Sequence, residues 1–220
     1  MFITCWAVKG GVGTTVVAAA LAVGRARTAS SGVLLVDLAG DQPNALGMVE
    51  PVGPGVAEWS SAGPAVPPDA LARLRTEVSP GLAVLHRGRG PIDPGRAEVL
   101  ASVLAREPVE VIVDAGRLDI PAAGATVGVA LAGAADRSLL VVRPCQLGLF
   151  RARHLPIQPD AVVVVREPAR ALGRGEVEQV VGVRAVAELA VDPAVARAVD
   201  AGLLASRLPR SFAAAVEQIR

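Results

Sequence analysis

VKGGVGTTVVAAALA, residues Val8 to Ala22, sets three glycines within four positions between two apolar segments. Phe2 to Val8 before them is short and rich in β-branched residues, and the Ala/Val-rich run after them reaches Arg27 without a proline. The pattern reads strand, glycine-rich turn, helix. A phosphate-binding loop reads G-x-x-x-x-G-K-[ST], with a lysine directly after its last glycine. Here Gly13 is followed by Thr14, and Thr15 takes the position whose hydroxyl ligates Mg²⁺. The amides of Gly10, Gly11, Val12, Gly13, Thr14 and Thr15 can wrap a phosphate chain, and the helix N-terminus adds its dipole.

Lysine occurs once in the chain, at Lys9, although there are 22 basic residues. Its place beside the glycine cluster marks a position that needs a compact, flexible ammonium, which the planar fork of arginine does not reproduce.

Beyond the loop, continuous apolar runs recur at Val33–Asp37, Leu82–Leu85, Val109–Asp114, Ser138–Val142 and Ala161–Val165, with a weaker one at Val183–Leu189. Such runs are what strands buried on both faces require. Helical candidates lie between them at Asp69–Arg75, Gly95–Arg106, Gly124–Ala135, Gly175–Val181, Asp192–Leu204 and Ser211–Ile219. The alternation predicts an α/β/α protein with a mostly parallel twisted sheet of about seven strands, in one domain spanning residues 1–220. The Pro/Gly/Ser-rich segment Pro51 to Pro80 reads as a surface excursion with one or two short helices. Ligands of such sheets bind at the carboxyl ends of the strands. The glycine loop, Asp37 and Asp114 all fall on that edge.

Composition narrows the classes further. Apolar residues make up 52% of 220 residues, enough for a sizeable core. No apolar run approaches the ~20 residues of a membrane span. With no basic segment ahead of an apolar stretch and only Cys5 and Cys145, a cytoplasmic protein is expected. A net charge of +1 gives no electrostatic case for nucleic acid. The clusters Arg166/Arg170/Arg174 and Arg143/Arg151/Arg153 read as solvated faces, so no DNA partner is expected. In SFAAAVEQIR, Phe212, Val216 and Ile219 share a helical face too short and too poor in basic residues for membrane binding, and it reads as core packing.

KGGVGTT resembles the deviant Walker A motif of the ParA/MinD superfamily of P-loop ATPases, and its CpaE/TadZ-like and septum-site branch in particular. The similarity runs over most of the chain. VLLVDLAGDQPNALG resembles the family's second motif, which usually reads VLLVDLD followed by PQ or LQ. VIVDAG resembles its Walker B strand, AADRSLLVVRP its next strand and VDPAVARAVDAGLL a C-terminal segment. The resemblance implies an ATP (or ADP) and Mg²⁺ site, with Lys9 as the signature lysine reaching across a nucleotide-sandwich homodimer. It implies that Asp37 supports the metal shell or the attacking water, that Asp114 is the Walker B acid, and that Thr15 is a metal ligand. The role it implies is the positioning or assembly of a cellular machine such as a septum, pilus or partition complex.

Three departures bear on activity. The loop lysine is Thr14, which removes a contact worth about 1.5–3 kcal/mol and charge stabilisation in phosphoryl transfer. The second aspartate after Asp37 is Ala39; Asp41, two residues on, is the candidate replacement. An adenine-binding asparagine is replaced by Arg166, which can stack on a base. ATPase activity is therefore expected to be weak or slow, the alternative being a non-hydrolysing scaffold or partner-binding module. An iron–sulfur pattern is not met by one mid-strand and one loop cysteine. A biosynthetic relative would need a second domain for which there is no room.

Overall fold

The computed structural model describes residues 1–63, 66–119 and 126–219, with residue 68 as backbone only. Eight strands form one sheet in the order β3-β4-β2-β5-β1-β6-β7-β8. They are β1 Phe2–Ala7, β2 Val33–Asp37, β3 Thr76–Ser79, β4 Leu82–Leu85, β5 Glu110–Arg117, β6 Arg137–Val142, β7 Ala161–Arg166 and β8 Ala185–Ala190. All seven expected strands are present, and every pairing among them is parallel. The additional strand is β3. It is half exposed, and it folds back antiparallel onto β4 through the Pro80-Gly81 turn. Gly81 has a φ of 78°, a conformation few other residues adopt.

The helices are α1 Thr14–Ala26, α2 Gln42–Leu46, α3 Val56–Ser61, α4 Ala97–Ala105, α5 Val127–Ala134, α6 Gln146–Arg151, α7 Arg174–Val181, α8 Pro193–Asp200 and α9 Arg210–Val216. Tight 3-10 turns cover Pro68–Leu74 and Pro94–Arg96. The candidate beginning at Gly124 falls partly outside the described residues. Its described part starts with Thr126, whose hydroxyl accepts the Val129 amide as an N-cap.

Alternation along the strands splits the core in two. Phe2, Trp6, Leu34, Val36, Val111, Val113, Val162 and Val164 pack with α3, α4, α5 and α7 on one face. Ile3, Cys5, Ala7, Leu35, Ile112, Val163 and Leu189 pack with α1, α8 and α9 on the other. Helix α1 owes its depth to small residues: Val17 to Val23 are all buried, and Ala18, Ala19, Ala20 and Ala22 let it lie close to the strands. Phe212, Val216 and Ile219 are buried against it, so the apolar face of α9 is spent on the core. The guanidinium of Arg25 closes that end by donating to the Ile219 carbonyl at 2.6 Å. Among the described residues no helix is long and apolar enough to cross a membrane.

The Pro-rich excursion goes deeper than its composition suggests. Val56, Trp59 and Leu71 join the main core, and Arg96 stacks over the Trp59 ring at 4.4 Å.

Helix α2 ends at Gly47, whose φ is 72°. A Cβ there would lie 1.8 Å from the carbonyl oxygen of Gly202, just after α8. Gly47→Ala therefore combines left-handed strain with overpacking, at a cost of about 2–5 kcal/mol. Urea unfolding should show a lower midpoint with an unchanged slope. A midpoint within error of the wild type would disprove the close approach.

Candidate functional site

The glycine loop joins β1 to α1. Gly11 and Gly13 have φ of 72° and 95°, so the turn itself selects glycine at both. A Cβ at Gly10, Gly11 or Gly13 would meet nothing within 4 Å, so the loop borders open space. Helix α1 begins with no side-chain cap and no acidic residue in its first turn. Its leading amides and dipole are thus left for an anion. Thr14 is buried, and Thr15 is half buried at the helix start.

Asp37 and Asp114 end their runs side by side, as register partners on β2 and β5. Strand parity places both on the α1 face. Both are fully buried, and no basic side chain pairs with either among the described residues. Asp37 Oδ1 accepts the Gly40 amide at 2.7 Å, and Oδ2 accepts the Gln42 amide at 3.0 Å. Burial pushes the Asp37 carboxyl up to about 6, with the Asp114 charge adding to it and the two amides opposing. Asp114 is also raised, chiefly by burial, against hydrogen bonds from the Thr15 and Gln42 side chains and the Gly116 amide. A β-bulge follows it, because Cys5 pairs with Asp114 while Trp6 pairs with Gly116. Bulges of this kind re-aim a strand end beside a site.

Gln42, the first residue of α2, was not expected here. Its side chain is fully buried; Nε2 donates to the Thr15 carbonyl at 3.0 Å and to Asp114 Oδ2 at 2.9 Å. The family motif puts its PQ/LQ glutamine at position 41, where this chain has Asp41, so it gave no pointer to Gln42. In GDQP the glutamine reads as an ordinary turn residue.

Lys9 is half exposed, and among the described residues its ammonium donates only to the neighbouring Gly10 carbonyl, at 3.3 Å. Arg151 of α6 donates to the carbonyl of Val8, just before it. Asp41 is exposed at the N-cap of α2 and makes no capping hydrogen bond. It is still close enough for its charge to raise Asp114. Ala39 faces Gly116, where an added Cβ would lie 3.1 Å from the Ala39 methyl.

Beside the loop lies a mainly apolar cavity of about 320 Å³, lined by Val12, Val16, Val165, Val195, Val199 and Phe212, with Arg143 and Asp192 at its polar margin. Arg166 is not part of it. Alternation on β7 turns Val165 to the α1 face and Arg166 to the opposite one, where Arg166 pairs with Glu188 at 2.6 Å. Of the other clustered arginines, Arg143 and Arg170 pair with Glu167, and Arg174 with Glu178. Cys5 is buried mid-strand, and burial raises its thiol. Cys145 caps α6 by accepting the Gly148 amide on its sulfur at 3.3 Å.

One sheet edge thus offers amide donors to an anion and, a few residues away, two carboxylates and a hydroxyl to a hard cation. No protein-family model matches the chain, and no curated protein matches it in sequence. Solved structures do match. A ParA family ATPase from Chlorobium tepidum TLS superposes with a TM-score of 0.79 over 99% of this chain and 97% of its own, at 19% identity. This is the fold of the ParA and MinD ATPases. The MinD cell division protein of Aquifex aeolicus superposes with a TM-score of 0.76 at 16% identity, over 99% of this chain and 95% of its own. The septum site-determining protein MinD of Pyrococcus horikoshii OT3, solved with Mg-ADP, gives 0.75 at 16%, over 99% and 93%.

The buried carboxylate pair fixes a pH dependence. A folded-state value above the ordinary 3.8 means that the folded chain holds its proton longer than the unfolded one. Stability then falls as pH rises through about 6, by up to about 3 kcal/mol for Asp37. Glu58, Glu167, Glu176 and Glu178 are shifted the other way, and their contribution is lost only as pH falls below about 4.5. In EDTA, denaturant unfolding should therefore show higher stability at pH 5 than at pH 7.5, with a shallower slope in Asp37→Asn. A flat or rising wild-type profile would contradict this.

Proposed function

We propose that this chain is a ParA/MinD-like cytoplasmic switch that binds ATP with Mg²⁺, dimerises on it and hydrolyses it slowly to position or assemble a cellular machine. The observation that carries this reading is the uncompensated pair Asp37 and Asp114, set beside the uncapped start of α1. Two buried carboxylates without a cation are costly unless a ligand supplies one. Carboxylates, a hydroxyl and phosphate oxygens are what Mg²⁺ prefers. The Mg-ADP found with a MinD of this fold supports the same assignment.

In this reading the amides of Gly10 to Thr15 hold the phosphates, and the apolar cavity beside the loop takes the nucleoside. Thr15 and Asp114 hold Mg²⁺, which neutralises phosphate charge when bound. Each oxygen of Asp37 already accepts one amide and keeps a second lone pair. One of these orients the attacking water, whose oxygen bonds to the γ-phosphorus as the bond to ADP breaks and whose proton passes to the departing phosphate. Hydrolysis is slow because Thr14 brings no charge to the transferring phosphoryl group and Ala39 no second acceptor for the water. Slow hydrolysis suits a switch in which the bound nucleotide sets the lifetime of a dimer. Lys9, without a carboxylate partner among the described residues, is the residue that reaches the partner's phosphates.

Sedimentation with ATP and Mg²⁺ should show a dimer for the wild type and a monomer for Lys9→Ala, while ATP binding to the monomer falls less than tenfold. Dimerisation that ignores both ATP and Lys9 would end the switch reading and leave a scaffold. Restoring the loop lysine with Thr14→Lys should tighten ADP binding by about 10- to 100-fold in calorimetry. An unchanged affinity would place the phosphates elsewhere.

A further inference from the structure

We propose that Gln42 is the positioning residue of the metal site, holding Asp114 and the first turn of α1 at the separation that Mg²⁺ requires. The assignment rests on the nucleotide-switch reading above. The Gln42 side chain is fully buried, and its two amide protons are divided between the Thr15 carbonyl at 3.0 Å and Asp114 Oδ2 at 2.9 Å. Its own main-chain amide donates to Asp37 Oδ2 at 3.0 Å. One residue therefore touches both carboxylates and the residue that supplies the hydroxyl. It does so across separations of 27 and 72 positions in the chain.

The orientation of its amide is fixed by chemistry. Turning it over would set Oε1 against a carbonyl and a carboxylate, both acceptors. In the orientation observed, Oε1 is buried without a partner. That unpaired acceptor costs stability, while the two donated protons hold the Thr15 carbonyl and a buried carboxylate. A side chain buried with one atom unpaired so that two other polar groups are held is a mark of a site rather than of a core. Groups that orient metal ligands from behind act in this way, and their loss typically weakens metal binding 10- to 100-fold.

The test compares wild type, Gln42→Leu and the unbranched Gln42→Met by ADP calorimetry in Mg²⁺ and in EDTA, alongside thermal melts in EDTA. Loss of the donor to buried Asp114 should lower the melts by a few degrees and leave the EDTA affinity within about threefold of wild type, while the gain in affinity that Mg²⁺ brings shrinks by about 10- to 100-fold. A variant that keeps the Mg²⁺ gain overturns the assignment alone. So does one whose EDTA affinity falls as far as the Mg²⁺ gain does, because a purely structural residue would behave that way. Wild-type protein that binds ADP equally in both buffers removes the metal site and this assignment with it. Wild-type protein that binds no ADP in either buffer overturns the proposed function as well.

Discussion

Two carboxylates lie side by side on neighbouring strands, and nothing in the described chain neutralises them. Asp37 ends β2 and Asp114 lies beside it within β5, both on the α1 face and fully buried. Around them the local backbone is arranged to donate: the amides of Gly40, Gln42 and Gly116 and the Gln42 side chain all point protons at them. The sharp turn after β2, the bulge after Asp114 and the position of α2 all serve that arrangement. Amides soften the burial of the pair but bring no positive charge, which leaves room for a divalent cation.

The anion side is built by the same economy. Helix α1 opens on glycines with no cap and no acid, so its first amides remain available. Because α1 is packed by alanines directly over β1 and β5, its N-terminus stands over the carboxylate pair rather than away from it. Charge of both signs is therefore offered within one short edge of the sheet, as a phosphate–metal complex demands. Helix α2 extends the arrangement outward. It starts at Gln42 in the site and ends at Gly47 against the backbone of Gly202, next to the helix that walls the apolar cavity.

Much of this was legible from sequence, for a physical reason. Strands buried on both faces must be continuously apolar, so Val33–Asp37 and Val109–Asp114 announce both themselves and the acids that end them. The glycine loop is legible because its turn needs positive φ. Strand β3 was missed because it is four residues long and three of them are polar; its pairing is made by the turn, not by its own pattern. Helices α2, α3 and α6 are five or six residues each, too short to show a period. Gln42 was missed because its role lies in contacts far along the chain, and from nearby sequence it resembles any turn residue. Strict alternation from Val163 and Val165, both turned to the α1 face, already sends Arg166 to the other side.

The half-exposed ammonium of Lys9 has a practical consequence. Apart from the amino terminus, it is the chain's one primary amine. An acylating or reductively alkylating reagent applied to this protein therefore reports on a single side chain, and that side chain lies at the mouth of the loop. Its labelling rate becomes a direct optical or mass readout of whether the loop is covered, obtained without mutating the protein.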